Sequence, residues 1–220
     1  MTSVLLFAAG LGTRMGALTR DRPKPLIEVA GRSLINHALD LTQGIGPQVV
    51  NLHYKADMLR DHLAGRDIAF SDETGLLRET GGGLRHALPL LPGDPVITIN
   101  TDAVWRGANP VQQLQAGWRE EMEVLLLLVP KAQVTGHKGK GDFVVDAAGR
   151  LTRAPGHIYT GLQMIRPGTL DGIDQDVFSL NVVWDRIAVR GGLFGAVYDG
   201  QWCDVGQPDS IPLAEAMLDV

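Results

Sequence analysis

The chain has 220 residues, 45% of them apolar, enough to bury a full core within one domain. A formal net charge of −5 excludes the basic field that would gather a nucleic acid or an anionic membrane surface. Cys203 is the sole cysteine and cannot form an intrachain disulfide. Neither Met1–Gly10 nor the run Val124–Val129 has the length of a signal or membrane segment, so a cytoplasmic protein with small-molecule partners is expected, as a monomer or small homo-oligomer.

In chain order, Val4–Ala9 is the first apolar run of strand length. It leads at once into Ala8-Ala9-Gly10-Leu11-Gly12-Thr13-Arg14-Met15-Gly16 and then Arg22-Pro23-Lys24-Pro25-Leu26. Small residues let backbone N–H groups approach an anion that a Cβ would obstruct, and Arg14 and Lys24 add a planar fork and a point charge. The pattern reads as a cradle for a triphosphate. A Walker A loop needs a Gly-Lys-Ser/Thr ending that is absent, and the dinucleotide fingerprint needs a third Gly where Met15 stands.

Ser33 is positioned as an N-cap for a helix carrying Leu34, Ile35, Ala38, Leu39 and Leu41. Gln48–Leu52 is a second strand, and Met58, Leu59, His62 and Leu63 mark a second helix. Glu79-Thr80-Gly81-Gly82-Gly83 precedes the apolar helical stretch Leu84–Leu91. It reads either as a loop whose backbone lies against a planar base or as a flexible helix start. After the strand Val96–Ile99, Asn100-Thr101-Asp102 places a carboxylate at a strand's carboxyl end.

Val124–Val129 is a further strand, followed by the irregular, Gly- and Lys-rich stretch Lys131–Gly141, expected as a mobile loop over a site. Strands are expected at Asp142–Val145, His157–Ile165 and Leu193–Val197. Trp202-Cys203-Asp204-Val205-Gly206 then brings a second acid, before a helix from about Pro208 to Leu218. Strands alternating with helices imply an α/β fold, a mostly parallel central sheet with helices on both faces, in a single domain spanning residues 1–220. In such a sheet ligands sit outside the carboxyl ends of the strands, which is where these motifs fall.

The segment Ala8–Met15, with Pro23-Lys24-Pro25-Leu26 and Val29-Ala30-Gly31, resembles the signature of the sugar-1-phosphate nucleotidyltransferases. The usual Pro-Leu-Thr after the Met reads Gly16-Ala17-Leu18-Thr19 here. Glu79–Gly83 and Gly136-His137-Lys138-Gly139-Lys140-Gly141-Asp142-Phe143 are similar to the branch that uridylylates N-acetylmuramate 1-phosphate in cell-wall recycling.

The resemblance implies the Rossmann-like nucleotide-diphospho-sugar transferase fold, with Asp102 and Asp204 holding Mg²⁺ and with Arg14 and Lys24 as catalytic charges. It places the nucleoside triphosphate against Ala8, Ala9, Gly10, Gly12, Thr13, Arg14, Glu79, Thr80, Gly81, Gly82 and Asn100. The sugar 1-phosphate falls near Lys140, Asp142 and Gly161. Gln207 stands where Thr is common.

The reaction this implies joins a sugar-phosphate oxygen to the α-phosphorus of a triphosphate, UTP and N-acetylmuramate 1-phosphate being the expected pair. The nucleophile is already ionised, in keeping with the lack of a Ser-His-Asp or Cys-His set. Alternatives are a mannose-1-phosphate guanylyltransferase, whose members often carry a further β-rich carboxyl-terminal region, a choline-phosphate cytidylyltransferase, and a non-catalytic nucleotide sensor. His37, His53, His62, His86 and His157 lack metal-ligand spacing and are expected to be structural. Trp105 and Trp202 are expected beside the two acids, packing in the core or against a sugar ring.

Overall fold

A computed structural model describes residues 2–219. β1 (Ser3–Phe7) runs into the glycine loop, whose residues Thr13–Thr19 coil as a 3-10 turn. A second such turn, Lys24–Leu26, leads to the hairpin β2 (Glu28–Val29) and β3 (Arg32–Ser33). Then come α1 (Leu34–Leu41), β4 (Gln48–Leu52), α2 (Ala56–His62), β5 (Ile68–Asp72), α3 (Glu79–Ala87), β6 (Val96–Asn100) and β7 (Ala103–Arg106). α4 (Pro110–Ala116), β8 (Val124–Val129), β9 (Val134–Thr135), β10 (Phe143–Val145), β11 (Leu151–Arg153) and β12 (Ile158–Ile165) follow. Last are α5 (Leu180–Val189), β13 (Leu193–Val197), β14 (Gln201–Asp204) and α6 (Ser210–Leu218).

Seven strands form the central sheet in the order β13-β8-β12-β6-β1-β4-β5. Every pairing is parallel except those of β12, which runs antiparallel to both β6 and β8. The expected mostly parallel sheet is therefore found, and its apolar runs have a plain cause. Val4 and Leu6 pack on one face with Ile35, Leu59 and Leu114 of α1, α2 and α4. Leu5 packs on the other with Leu84 and Val183 of α3 and α5. Alternate residues of a strand point to opposite faces, so a strand covered on both has no polar register. All six residues of β8 are buried, each contributing about 1.5–3 kcal/mol.

A smaller sheet, β7-β14-β9, stands at the carboxyl end of the large one. β14 pairs antiparallel with β7 and parallel with β9. α6 packs beneath it, and Met217 and Ala214 join Met15, Ile27, Val104 and Cys203 in a third core under the glycine loop.

Three expectations are corrected and one open reading, that of Glu79–Gly83, is decided for the helix start. β1 ends at Phe7 rather than Ala9, because the Ala8 and Ala9 amides turn to the Asn51 side chain at 2.6 and 3.2 Å. Ser33 occupies the N-cap position of α1, but its hydroxyl meets His62 Nε2 at 3.1 Å and caps no amide of α1. Glu79–Gly83 begins α3 and is not a loop. The stretch Lys131–Gly141 is partly ordered, since Lys131–Gln133 forms a 3-10 turn and β9 pairs with β14.

Candidate active site

A cleft of about 260 Å³ opens at the carboxyl ends of β1, β4, β5 and β6. Its walls are Phe7–Gly10, Lys24, Pro25, Asn51, Glu73, Leu77, Glu79, Thr80 and Asn100–Asp102. Gly12 takes φ +65°, and a Cβ there would lie 2.9 Å from Thr19 Cγ2 and 3.0 Å from Lys24 Cβ. Only glycine lets the loop close down on Lys24. Gly10 has open space where its Cβ would be, so its backbone faces the cleft unobstructed.

Lys24 Nζ donates to Asp102 Oδ2 at 2.8 Å, with the two side chains 11% and 30% exposed. Thr101 Oγ1 donates to Phe7 O at 2.8 Å and pins this turn to β1. The register of β14 on β7 sets Asp204 opposite Ala103, next along the chain from Asp102, and Val205 N–H donates to Asp102 O at 2.9 Å. Two acids far apart in sequence are thus brought together by one strand pairing.

Burial pushes the Asp204 carboxyl above the usual carboxylate range, and the negative charge of Asp102 adds to the effect. Lys24, His137 and Arg14 pull it partly back. His137 Nδ1 lies 3.6 Å from Asp204 Oδ2, carried there by the segment after β9. Arg14 is exposed, makes no ion pair among the described residues, and lies near Gly206, whose Cβ would sit 3.3 Å from an Arg14 guanidinium nitrogen. Trp105 and Trp202 meet edge to face at 6.4 Å and pack in the small sheet.

Among the other predicted residues, Ala8, Ala9, Gly10, Glu79, Thr80 and Asn100 line the cleft. Thr80 Oγ1 accepts the Leu180 amide and so also ties α3 to α5. Thr13 opens the 3-10 turn and is exposed.

Gly81 and Gly82 do not line the cleft, and their amides both donate to Phe178 O, at 2.9 and 3.0 Å. A Cβ on Gly81 would overlap the Phe178 ring, and one on Gly82 the Asp176 carbonyl. Their smallness serves close packing on residues 176–178, and their N–H groups are not free to read a base. The Ala8 and Ala9 amides are likewise taken, by Asn51, which leaves the loop from Gly10 onward to meet phosphate.

Gly161 (φ +83°) sits against Asn100, whose Nδ2 would be 2.6 Å from a Cβ there, so these two predicted contacts adjoin. Asp142 Oδ2 accepts the Tyr159 amide at 2.8 Å, a bond that ties the start of β10 to β12. Lys140 is exposed and does not line the cleft.

Sequence reasoning missed Asn51 and Glu73, and it quoted His137 only within the Gly136–Phe143 motif, with no role of its own. Asn51 near the carboxyl end of β4 carried a usable signal, since ligand-facing residues of a parallel sheet sit there. Glu73 and His137 are placed by tertiary contacts alone.

Residues 4–157 match the MobA-like NTP transferase domain. The chain belongs to that family. It is 40% identical to the N-acetylmuramate alpha-1-phosphate uridylyltransferase of Caulobacter vibrioides, covering 97% of this chain and 96% of that one. The enzyme of the same name from Neisseria meningitidis is 32% identical over the same shares. A rice protein named as a mannose-1-phosphate guanylyltransferase is 28% identical, and this chain spans 61% of it. In structure, HddC from Yersinia pseudotuberculosis complexed with GMP-PN superposes with a TM-score of 0.78 at 20% identity, covering 99% of this chain and 100% of that one. The inositol-1-phosphate CTP transferase from T. maritima gives 0.76 at 16%, covering 98% and 94%. At these identities the two structures speak to the fold alone.

Proposed function

We propose that this protein transfers UMP from UTP to N-acetylmuramate 1-phosphate, releasing pyrophosphate, in the recycling of cell-wall sugar. The observation that carries the reaction class is that Lys24 and Asp102 meet in the cleft that Gly10 lines, with Asp204 set beside Asp102 by the pairing of β14 with β7. The substrate pair rests on full-length likeness to two uridylyltransferases. The guanylyltransferase reading is not favoured, because that relative is less similar, at 28% identity.

In the reaction an oxygen of the sugar phosphate forms a bond to the α-phosphorus as the bond from that phosphorus to the bridging oxygen breaks and pyrophosphate departs. No general base is needed, because the attacking phosphate is already ionised. The chain's task is alignment and charge compensation. The amides from Gly10 onward and the Lys24 ammonium would hold the triphosphate oxygens. Exposed Arg14 is free to take the departing pyrophosphate.

Asp102 and Asp204 suit Mg²⁺. They offer hard oxygens, and Asp204 is a partly buried carboxylate left under-compensated by its neighbours. No group of three or more His, Cys, Asp or Glu gathers among the described residues, and a two-carboxylate site leaves the ion's other positions for water and phosphate. Bound there, Mg²⁺ would supply charge neutralisation at the phosphates.

No helix among the described residues is long and apolar enough to cross a membrane. The test is pyrophosphate release with Mg²⁺ from UTP, GTP, CTP and dTTP against N-acetylmuramate, N-acetylglucosamine, glucose and mannose 1-phosphates and phosphocholine. Release confined to UTP with the muramate compound is expected. Preference for GTP with mannose 1-phosphate overturns the substrate, and nucleotide binding without turnover in any pairing overturns the enzyme.

A further inference from the structure

One side of the cleft takes no part in the chemistry above. In the sheet, β1 has β6 on one flank and β4, then β5, on the other. Asp102 lies beyond β6, whereas Asn51 of β4 and Glu73, just past β5, line the opposite wall. Both are nearly closed to water, at 3% and 2% exposure. Asn51 Oδ1 accepts the Ala8 and Ala9 amides at 2.6 and 3.2 Å, and its Nδ2 donates to Glu73 Oε1 at 2.8 Å. Glu73 Oε2 accepts the Arg78 amide at 3.1 Å, just ahead of α3, and Glu73 O meets His53 Nδ1 at 2.7 Å.

The residue types are dictated by these partners. Asn51 must offer an acceptor to two amides and a donor to Glu73, which an amide does and a carboxylate cannot. Glu73 must offer an acceptor at both oxygens, which a carboxylate does and an amide cannot. A buried carboxylate is costly unless its oxygens are hydrogen-bonded, and both oxygens of Glu73 are. Gly83 makes room for the pair, since a Cβ there would lie 2.8 Å from Glu73 Oε1 and 3.2 Å from Asn51 Nδ2.

We propose that Asn51 and Glu73 are positioning residues for the nucleotide. Glu73 sets which way Asn51 faces, Asn51 holds the exit of β1, and the backbone from Gly10 onward is thereby presented to the phosphates. The inference rests on the reading that a nucleoside triphosphate occupies this cleft.

The experiment compares Asn51→Asp, Glu73→Gln and, as a milder push on the same pair, Gly83→Ala with the parent protein. It measures UTP binding by calorimetry, KM for each substrate, and hydrogen exchange at residues 8–9. Losing one such charged hydrogen bond corresponds to about tenfold to hundredfold weaker UTP binding. The expected result is that loss together with faster exchange at residues 8–9, an unchanged KM for the sugar phosphate, and Gly83→Ala showing the same pattern in smaller measure. UTP binding at parental strength despite faster exchange, or parental exchange in Asn51→Asp and Glu73→Gln, overturns the proposal. If those two variants do not fold, Gly83→Ala decides by the same two readouts. Should the parent bind another triphosphate instead of UTP, the proposed substrate fails, while the exchange and binding comparison is made with that nucleotide.

Discussion

Asp102, which lines the cleft, and Asp204, set beside it, come from different kinds of structure. Asp102 follows β6 in the middle of the large sheet, pinned through Thr101 to β1 and paired with Lys24 at 2.8 Å. Asp204 ends β14 in the small sheet. Burial and the charge of Asp102 raise its pKa, and its nearest partner is His137 at 3.6 Å. One acid is paired directly by the chain itself and the other is compensated only in part. The second is where binding energy from a cation and a phosphate substrate would be realised, because the folded chain leaves its charge partly unanswered.

That contrast predicts opposite stabilities for two losses of function. Asp102→Asn and Asp204→Asn should each lower turnover by about 10²–10³-fold, the magnitude expected when one preorganised charge is removed. Asp102→Asn leaves the Lys24 ammonium, 11% exposed, without its carboxylate, and should cost about 1–3 kcal/mol.

Asp204→Asn should instead raise the thermal midpoint of the metal-free protein. Between the ordinary carboxylate value and its raised folded value, the folded chain binds the Asp204 proton more tightly than the unfolded chain does. This group's contribution to stability therefore falls as pH rises through that window, and the substitution removes the fall. Thermal melts of both variants without Mg²⁺ at several pH values check the pair. Equal destabilisation would erase the distinction between the two acids.

Glycines on the two sides sharpen it further. Gly136 takes φ +76°, and a Cβ there would overlap the Asp204 carbonyl, so Gly136→Ala should cost about 1–3 kcal/mol and disturb the setting of Asp204. Gly10 needs no positive φ and has open space around its Cβ position. Gly10→Ala should melt as the parent does and yet raise KM for UTP, since the added methyl stands where phosphate approaches. Melting curves and KM values together separate a glycine kept for packing from one kept for a ligand.

The two sides also differed in how far they could be read from sequence. β1, β4, β6 and β8 were legible because strands buried on both faces carry apolar residues in both registers, and the loop around Gly10, Gly12 and Lys24 follows directly from one of them. The convergence of Asp102 with Asp204 was implied by resemblance only. What produces it is the register of β14 on β7, a long-range pairing that no local pattern announces. Glu79–Gly83 was ambiguous for a related reason. Three consecutive residues without side chains read locally as a loop, and their helical state depends on residues 176–178 packing against them. Asn51 and Glu73 are equally invisible as a pair, since each is an ordinary polar residue until the strand order sets one beside the other.

The smallest expected effect uses Cys203 as a reporter on the Asp204 side. Its thiol is fully buried in the third core, and burial first, then the charge of Asp204, pushes its pKa up to about 12. At neutral pH it is a thiol rather than a thiolate, and only the thiolate attacks a disulfide reagent. Labelling of the native protein should therefore be slow and set by how often β14 opens. Gly136→Ala should speed it severalfold, Gly10→Ala should leave it as it is, and Mg²⁺ with UTP should slow it by holding Asp204 in place. Following absorbance with an aromatic disulfide reagent under these four conditions measures the opening directly. Rapid labelling of the parent protein would mean that β14 is loose before any substitution, so that the raised pKa of Asp204 would no longer describe the state that meets the substrate.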